Sequence, residues 1–280
     1  MTRKDLYTRT QKAALALYDA TEAAAVAERL CADLYGFGRF DVVMDGSVEV
    51  VGVGEEHVEQ VLERLASGEP VQYVVGHTEF LGREFAVRSG VLIPRPETEE
   101  LVMHIVRRNR TASPHILDVG TGSGVIAISL ALEIPAARVE AIDLSPMAVE
   151  VSSDNAARLK AQVVVTRQDI FAFEPEAESF DIIVSNPPYI PQAERGEMRA
   201  NVVDFEPSEA LFVPDESPLV FYERIADVAR VGLKEGGMLC FEIHERLATE
   251  TAQMLRQRGF RDVEVVEDFN SKPRIILCLK

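Results

Sequence analysis

Two stretches of this chain combine residue types that can do chemistry. The first is Asp118-x-Gly120-x-Gly122-x-Gly124, which follows the apolar run ILDV and opens the helical pattern VIAISLALEI. Glycines let a backbone turn tightly and let a ligand approach it closely, and a helix start offers unpaired N–H groups. About 20 residues on, the next apolar run ends in Asp143, a carboxylate able to accept both hydroxyls of a ribose. Together they signal a nucleoside-containing cofactor. The second stretch is Asn186-Pro187-Pro188-Tyr189, directly after the apolar run FDIIVS. Proline cannot donate to a sheet ladder, so the strand must stop at Asn186 and leave that amide at its carboxyl end.

The glycine spacing departs from the GxGxxG that a dinucleotide site prefers. An acid just ahead of the turn, Asp118, suits a cationic amine or sulfonium better than a pyrophosphate. The stretch resembles the glycine-rich first motif of S-adenosylmethionine-dependent methyltransferases. The third strand ends in Asp169, followed by Ile170 and Phe171. By chain order the adenine would lie there, its exocyclic amine donating to the acid and its ring flanked by apolar groups. In an open α/β sheet, ligands bind outside the carboxyl ends of the strands, near the switch in strand order. A fourth strand beside the first would then set Asn186 against a transferable methyl. A planar amide or exocyclic amine is a poor nucleophile, because its lone pair is delocalised. Acceptors for its N–H groups hold the nitrogen toward the methyl and favour the charge that develops. Asn186 Oδ1 is one such acceptor, the Pro187 carbonyl is another, and Tyr189 can pack against the flat group.

The elements that must position these residues follow from the pattern. From His115 onward, HILDVG, RVEAIDLS, QVVVTRQD, FDIIVSN, GMLCFEIH, VEVVED and RIILCLK read as strands, with helical stretches between them. Such alternation implies a mostly parallel sheet covered on both faces, and the short link FNSKP allows an antiparallel hairpin at one edge. The expected fold is α/β and Rossmann-like, with a mostly parallel seven-stranded sheet. Residues 1–68 read as a small helical domain, with Val58, Val61, Leu62 and Leu65 on one helical face. Residues 69–94 alternate apolar side chains between Gly76, Gly82 and Gly90 and read as a β-hairpin connector. Residues 95–280 hold the chemistry, opening on a helix whose first turn takes Pro96, Glu97, Glu99 and Glu100.

The 280 residues suffice for a sizeable core, at 47% hydrophobic and 27% charged. No apolar run approaches the roughly 20 residues of a membrane span. The charged, then amphipathic start lacks a signal-peptide core, so a cytoplasmic location is expected. The net charge of −17 argues against sequence-independent nucleic-acid binding, and no direct nucleic-acid partner is expected. The histidines show no HxxxH or HxH spacing and the three cysteines lie far apart, so no metal is expected.

The signature [DN]PP[YFW] is shared by methyltransferases of adenine N6 and of glutamine side chains, so NPPY specifies the chemistry better than the substrate. Further stretches separate them. IPRPETEELV, DVGTGSG, AIDLS, SNPPYIP, PVQYVVGHTEFLG and the closing DFNSKPRIILCLK resemble the release-factor glutamine methyltransferase family. The resemblance spans essentially the whole chain, strongest from Pro70 to Pro191 and loosest in the first 65 residues. It implies S-adenosylmethionine as methyl donor, held by Gly120, Thr121, Gly122, Ser123 and Gly124, with Asp143 at the ribose and Asp169 and Ile170 at the adenine. It places Asn186, Pro187, Pro188 and Tyr189 at the substrate, with Arg95, Pro96, Glu97 and Thr98 lining the site. The implied substrate is the glutamine of a release factor's GGQ loop, methylated on its amide nitrogen, with the helical N-terminal domain helping to grip the factor and a monomer expected. One departure is His244 in FEIHERLA, where the family usually has glycine. Alternatives remain: a ribosomal-protein glutamine, DNA adenine, or a nucleotide-binding module without catalysis.

Overall fold

The computed structural model describes every residue from Met1 to Lys280. Eleven strands form. A two-stranded hairpin comprises β1 (His77–Phe80) and β2 (Arg83–Ala86). Its turn, Leu81-Gly82, has positive φ at both residues, as a tight two-residue hairpin requires. The main sheet is built from β3 (His115–Val119), β4 (Arg138–Asp143), β5 (Val163–Arg167) and β6 (Phe180–Ser185). A short parallel pair follows, β7 (Ile190–Pro191) with β8 (Phe212–Val213). The main sheet is completed by β9 (Leu233–Glu242), β10 (Arg261–Glu267) and β11 (Pro273–Leu279).

The main sheet has the order β10-β11-β9-β6-β3-β4-β5. Strands β9, β6, β3, β4 and β5 run parallel, while β11 lies antiparallel to both β9 and β10. The seven expected strands and the antiparallel edge hairpin are thus present. Both faces of the central strands β3, β6 and β9 are buried, as their near-continuous apolar runs demand, while the edge strands β5 and β10 are largely exposed. Along β6, Ile182 and Val184 pack on one face and Ile183 on the other. Met238 and Cys240 of β9 alternate in the same way with Leu239 and Phe241. No helix is long and apolar enough to cross a membrane.

The chain divides into two compact units. One holds Met1–His77 together with Arg199–Phe205, and the other Thr78–Met198 with Glu206–Lys280. In the first, helices Arg3–Ala14, Ala20–Tyr35 and Glu55–Ala66 bury Leu6, Ala27, Leu30, Val58, Val61, Leu62 and Leu65. Asp19 starts the second of these by accepting the Thr21 and Glu22 amides. The distant segment Arg199–Phe205 belongs here because Arg199 pairs with Glu22 at 2.7 Å and Asn201 donates to the Tyr18 hydroxyl. One stretch departs from the alternation read as extended. Val71–Val75 forms a short helix ended by Gly76 at φ 84°, because Val71 and Val74, three apart, bury together against Leu65 and Ala23.

Candidate active site

Strand register brings the chemistry to one row. Val119 pairs with Ile142 across β3–β4 and with Ser185 across β3–β6, and Ser185 pairs with Phe241 across β6–β9. One residue further along, Gly120, Asp143, Asn186 and Glu242 stand level at the carboxyl edge. The order reverses between β3 and β6, the crevice where such sheets bind ligands. A cavity of about 510 Å³ opens there, within the usual range for small-molecule sites. Gly120, Thr121, Gly122, Ser123, Asp143, Asp169, Ile170, Asn186, Pro187, Pro188, Arg95 and Thr98 all line it. Asp118, Gly124, Pro96, Glu97 and Tyr189 do not.

The glycine turn is held from beneath. Gly124, at φ 86°, opens the helix Val125–Glu133, and a Cβ there would lie 2.8 Å from Ile128 Cδ1 and 3.0 Å from Ser152 Cβ. Gly122, at φ 57°, has open space on its side-chain side, and its N–H donates to Asp143 Oδ2 at 2.9 Å. The other oxygen of Asp143 accepts the Ser145 amide at 2.9 Å. A carboxylate offers about four lone-pair sites, so Asp143 is not saturated by these amides. Burial raises the pKa of Asp143, against the amides that favour its charge. Asp118 is fully buried, and its Oδ2 accepts the Thr121 hydroxyl at 2.7 Å and the Ala127 amide at 3.2 Å. Its Oδ1 has no partner, and burial pushes its pKa up to about 7. From behind, Asn155 donates to the Ser123 and Ala86 carbonyls and accepts the Ala86 amide, tying the glycine turn to β2.

Past β5, Asp169 Oδ1 accepts the Phe171 amide at 2.9 Å, a local turn that aims the chain along the cavity. Phe171 and Phe221 lie 5.3 Å apart and both line the cavity, giving flat apolar surface beside Ile170. The strap Gly90–Arg95 forms another wall. It is anchored by Glu206, whose carboxylate takes the Ile93 amide at 3.0 Å and the Arg95 guanidinium at 2.7 Å.

On the far side, the Asn186 amide nitrogen donates to Thr98 Oγ1 at 3.3 Å. The Thr98 hydroxyl donates to Glu242 Oε2 at 2.6 Å, and the Tyr189 hydroxyl donates to Glu242 Oε1 at 3.2 Å. Glu242 is only 1% exposed, and burial raises its pKa. The NPPY stretch therefore spans two concavities. Asn186, Pro187 and Pro188 line the larger one, and Tyr189 lines a second of about 260 Å³ with Glu194, His244, Arg246 and Arg274. His244 sits edge-on to Tyr189, accepts the Arg246 amide at Nδ1 and bonds Glu194 through Nε2.

Residues 97–204 match the family model for the methyltransferase small domain, and residues 10–76 match that for the PrmC N-terminal domain. A release factor glutamine methyltransferase from Bacteroides thetaiotaomicron is 44% identical over 261 residues, covering 93% of this chain and 94% of its own. The chain belongs to the release factor glutamine methyltransferase family. A second relative of that name, from Flavobacterium psychrophilum, is 40% identical over 85% of each chain. A crystal structure of a methyltransferase from Pyrococcus furiosus shares the fold, with TM-score 0.53 and 16% identity over 71% of this chain and 90% of that one.

The cavity suits the S-adenosylmethionine that this family and fold imply. Asp118 lies off the cavity lining, buried, and braces the turn through the Thr121 hydroxyl and the Ala127 amide. Gly120 and Gly122 have open space where side chains would otherwise stand, and Asp143 lines the cavity beside them. Sequence reasoning missed Glu242, Glu206, Asn155 and Phe221. Only Glu242 gave a local signal, as a lone acid ending an otherwise apolar strand.

Proposed function

We propose that this protein transfers a methyl group from S-adenosylmethionine to the side-chain amide nitrogen of the GGQ glutamine in a peptide-chain release factor. The observation that carries this reading is the amide of Asn186. It stands level with the glycine turn and Asp143, with its nitrogen committed to Thr98 and its oxygen left for the cavity.

Bound S-adenosylmethionine supplies a methyl on a positively charged sulfur, which becomes a neutral thioether once the methyl leaves. Asp143 takes the ribose hydroxyls, Asp169 and Ile170 take the adenine edge and face, and the turn Gly120 to Gly124 takes the amino-acid portion. Phe171 and Phe221 add flat surface for the base. Asn186 Oδ1 accepts one N–H of the target amide and the Pro187 carbonyl accepts the other. The two prolines restrict where that carbonyl points. These acceptors orient the nitrogen and stabilise the positive charge it gains as the N–C bond forms. The methylated nitrogen is then strongly acidic and releases one proton to solvent, so no general base is required. Tyr189, pinned by Glu242, forms a wall toward the second concavity, and Arg95, Pro96, Glu97 and Thr98 frame the entrance. The helical residues 1–68 grip the release factor, with 69–94 as connector to the catalytic residues 95–280. The protein works in the cytoplasm as a monomer, without direct nucleic-acid contact.

The test offers methyl-labelled S-adenosylmethionine with three acceptors in parallel: release factor, ribosomal proteins and duplex DNA. Label on release factor alone is expected. Label on a ribosomal protein or on DNA, with none on release factor, overturns the substrate assignment.

A further inference from the structure

A second buried acid of the site, Glu242, has no part in the chemistry above beyond holding Tyr189. It stands at the end of β9, level with Asn186, yet does not line the main cavity. Its two oxygens accept two hydroxyls, from Thr98 and Tyr189. We propose that Glu242, acting through Thr98, is a positioning residue that dictates which end of the Asn186 amide faces the substrate. The proposal rests on the reading of Asn186 Oδ1 as an acceptor for the target amide.

Hydrogen-bond polarity sets the orientation of this amide. An asparagine amide has a donor end and an acceptor end of nearly equal shape, so packing alone does not choose between them. An ionised carboxylate is acceptor-only. Glu242 therefore forces the Thr98 hydroxyl hydrogen toward itself, at 2.6 Å. The Thr98 oxygen then has only lone pairs to offer Asn186. An amide nitrogen can meet those lone pairs and an amide oxygen cannot. The nitrogen meets Thr98 at 3.3 Å, which leaves the oxygen of this cavity-lining amide for the substrate. A flipped Asn186 would point N–H groups at the N–H groups of the target and repel it.

The surroundings bear on the charge this requires. Burial, the strongest influence, raises the pKa of Glu242, with Glu97 adding to it, while the Thr98 and Tyr189 hydroxyls and Arg274 favour the ionised form. Tyr222 donates to the Glu242 backbone carbonyl at 3.1 Å and so fixes the strand end rather than the carboxylate. No protein nitrogen donates directly to either Glu242 carboxylate oxygen, which leaves the Thr98 hydroxyl as the link from this acid to Asn186.

Three variants separate polarity from packing: Thr98→Val, Thr98→Ser and Glu242→Gln. Each is assayed for kcat on release factor, KM for release factor, calorimetric Kd for S-adenosylmethionine and thermal midpoint. Thr98→Val keeps the shape but removes the hydroxyl, and Thr98→Ser keeps the hydroxyl but removes a methyl. Thr98→Val is expected to lower kcat by about tenfold to a hundredfold with cofactor Kd unchanged. Thr98→Ser should recover most of that loss. Glu242→Gln, which can donate to Thr98 and so reverse the chain, should lower kcat like Thr98→Val. Equal impairment of Val and Ser variants would overturn the proposal in favour of packing, as would wild-type turnover in Thr98→Val. Asn186→Ala serves as the reference. If it too keeps wild-type turnover, the underlying acceptor reading fails along with the relay. If it loses turnover while Thr98→Val does not, only the relay fails.

Discussion

Asp118 and Glu242 sit near the carboxyl ends of β3 and β9, the two strands that flank β6. Both are buried acids, and burial raises the pKa of both. Their partners differ in kind. Asp118 takes one hydroxyl and one backbone amide from the glycine turn and the helix after it, and leaves an oxygen unpartnered. Glu242 takes two side-chain hydroxyls, one of which bonds the Asn186 amide. The glycine-turn side of the cavity is thus shaped mainly by main chain, with carboxylates bracing it. The acceptor side is shaped by side chains whose donor and acceptor ends must face the right way. Binding and turnover should therefore fail separately when the two sides are damaged separately.

Asn186→Ala should have the largest effect, a loss of kcat of about a hundredfold to a thousandfold. Calorimetry should find its affinity for S-adenosylmethionine nearly intact, and a parallel loss of binding would erase the division between the two sides. Asp143→Ala should do the converse. It removes acceptors for two hydroxyls and weakens cofactor affinity by about tenfold to a hundredfold, with kcat at saturation less affected. Unchanged calorimetric binding would remove the ribose assignment.

Asp118→Asn should act on stability and its pH dependence. The folded carboxyl holds its proton up to about 7, above the ordinary 3.8. Between those values the folded state keeps a proton that the unfolded chain has released. Its contribution to stability is therefore full below about pH 4 and is lost as pH rises through about 7. The neutral variant should flatten the fall in unfolding free energy across that window, by at most about 1.4 kcal/mol per pH unit, as read from denaturant unfolding at each pH. Identical wild-type and variant profiles would show that the Asp118 side chain does not titrate there. The smallest effect is expected for Glu206→Gln, which weakens the anchor of the Gly90–Arg95 strap. A loss of roughly 1 kcal/mol, about fivefold in cofactor affinity, should appear in calorimetry.

The same division explains what the sequence reveals. That the glycine turn, Asp143 and Asn186 stand together at the carboxyl ends of strands is legible, because strand ends are marked by local pattern. Asn186 adds a stop signal in Pro187 and Pro188. The bracing residues are illegible because their partners are remote. Glu206 bonds Ile93 from 113 positions away, and Glu242 bonds Thr98 from 144. No short window shows such pairs. Val71–Val75 reads as extended because alternation dominates a five-residue window, yet its burial against Leu65 and Ala23 favours a helical turn. The segment Arg199–Phe205 carries no local sign that it joins the helical unit rather than the sheet around it.

The most direct test of the account is a fragmentation mass spectrum of release factor after incubation with this protein and S-adenosylmethionine. One methyl group is expected, borne on the side-chain nitrogen of the GGQ glutamine. A methyl on any other residue, or none, would contradict it.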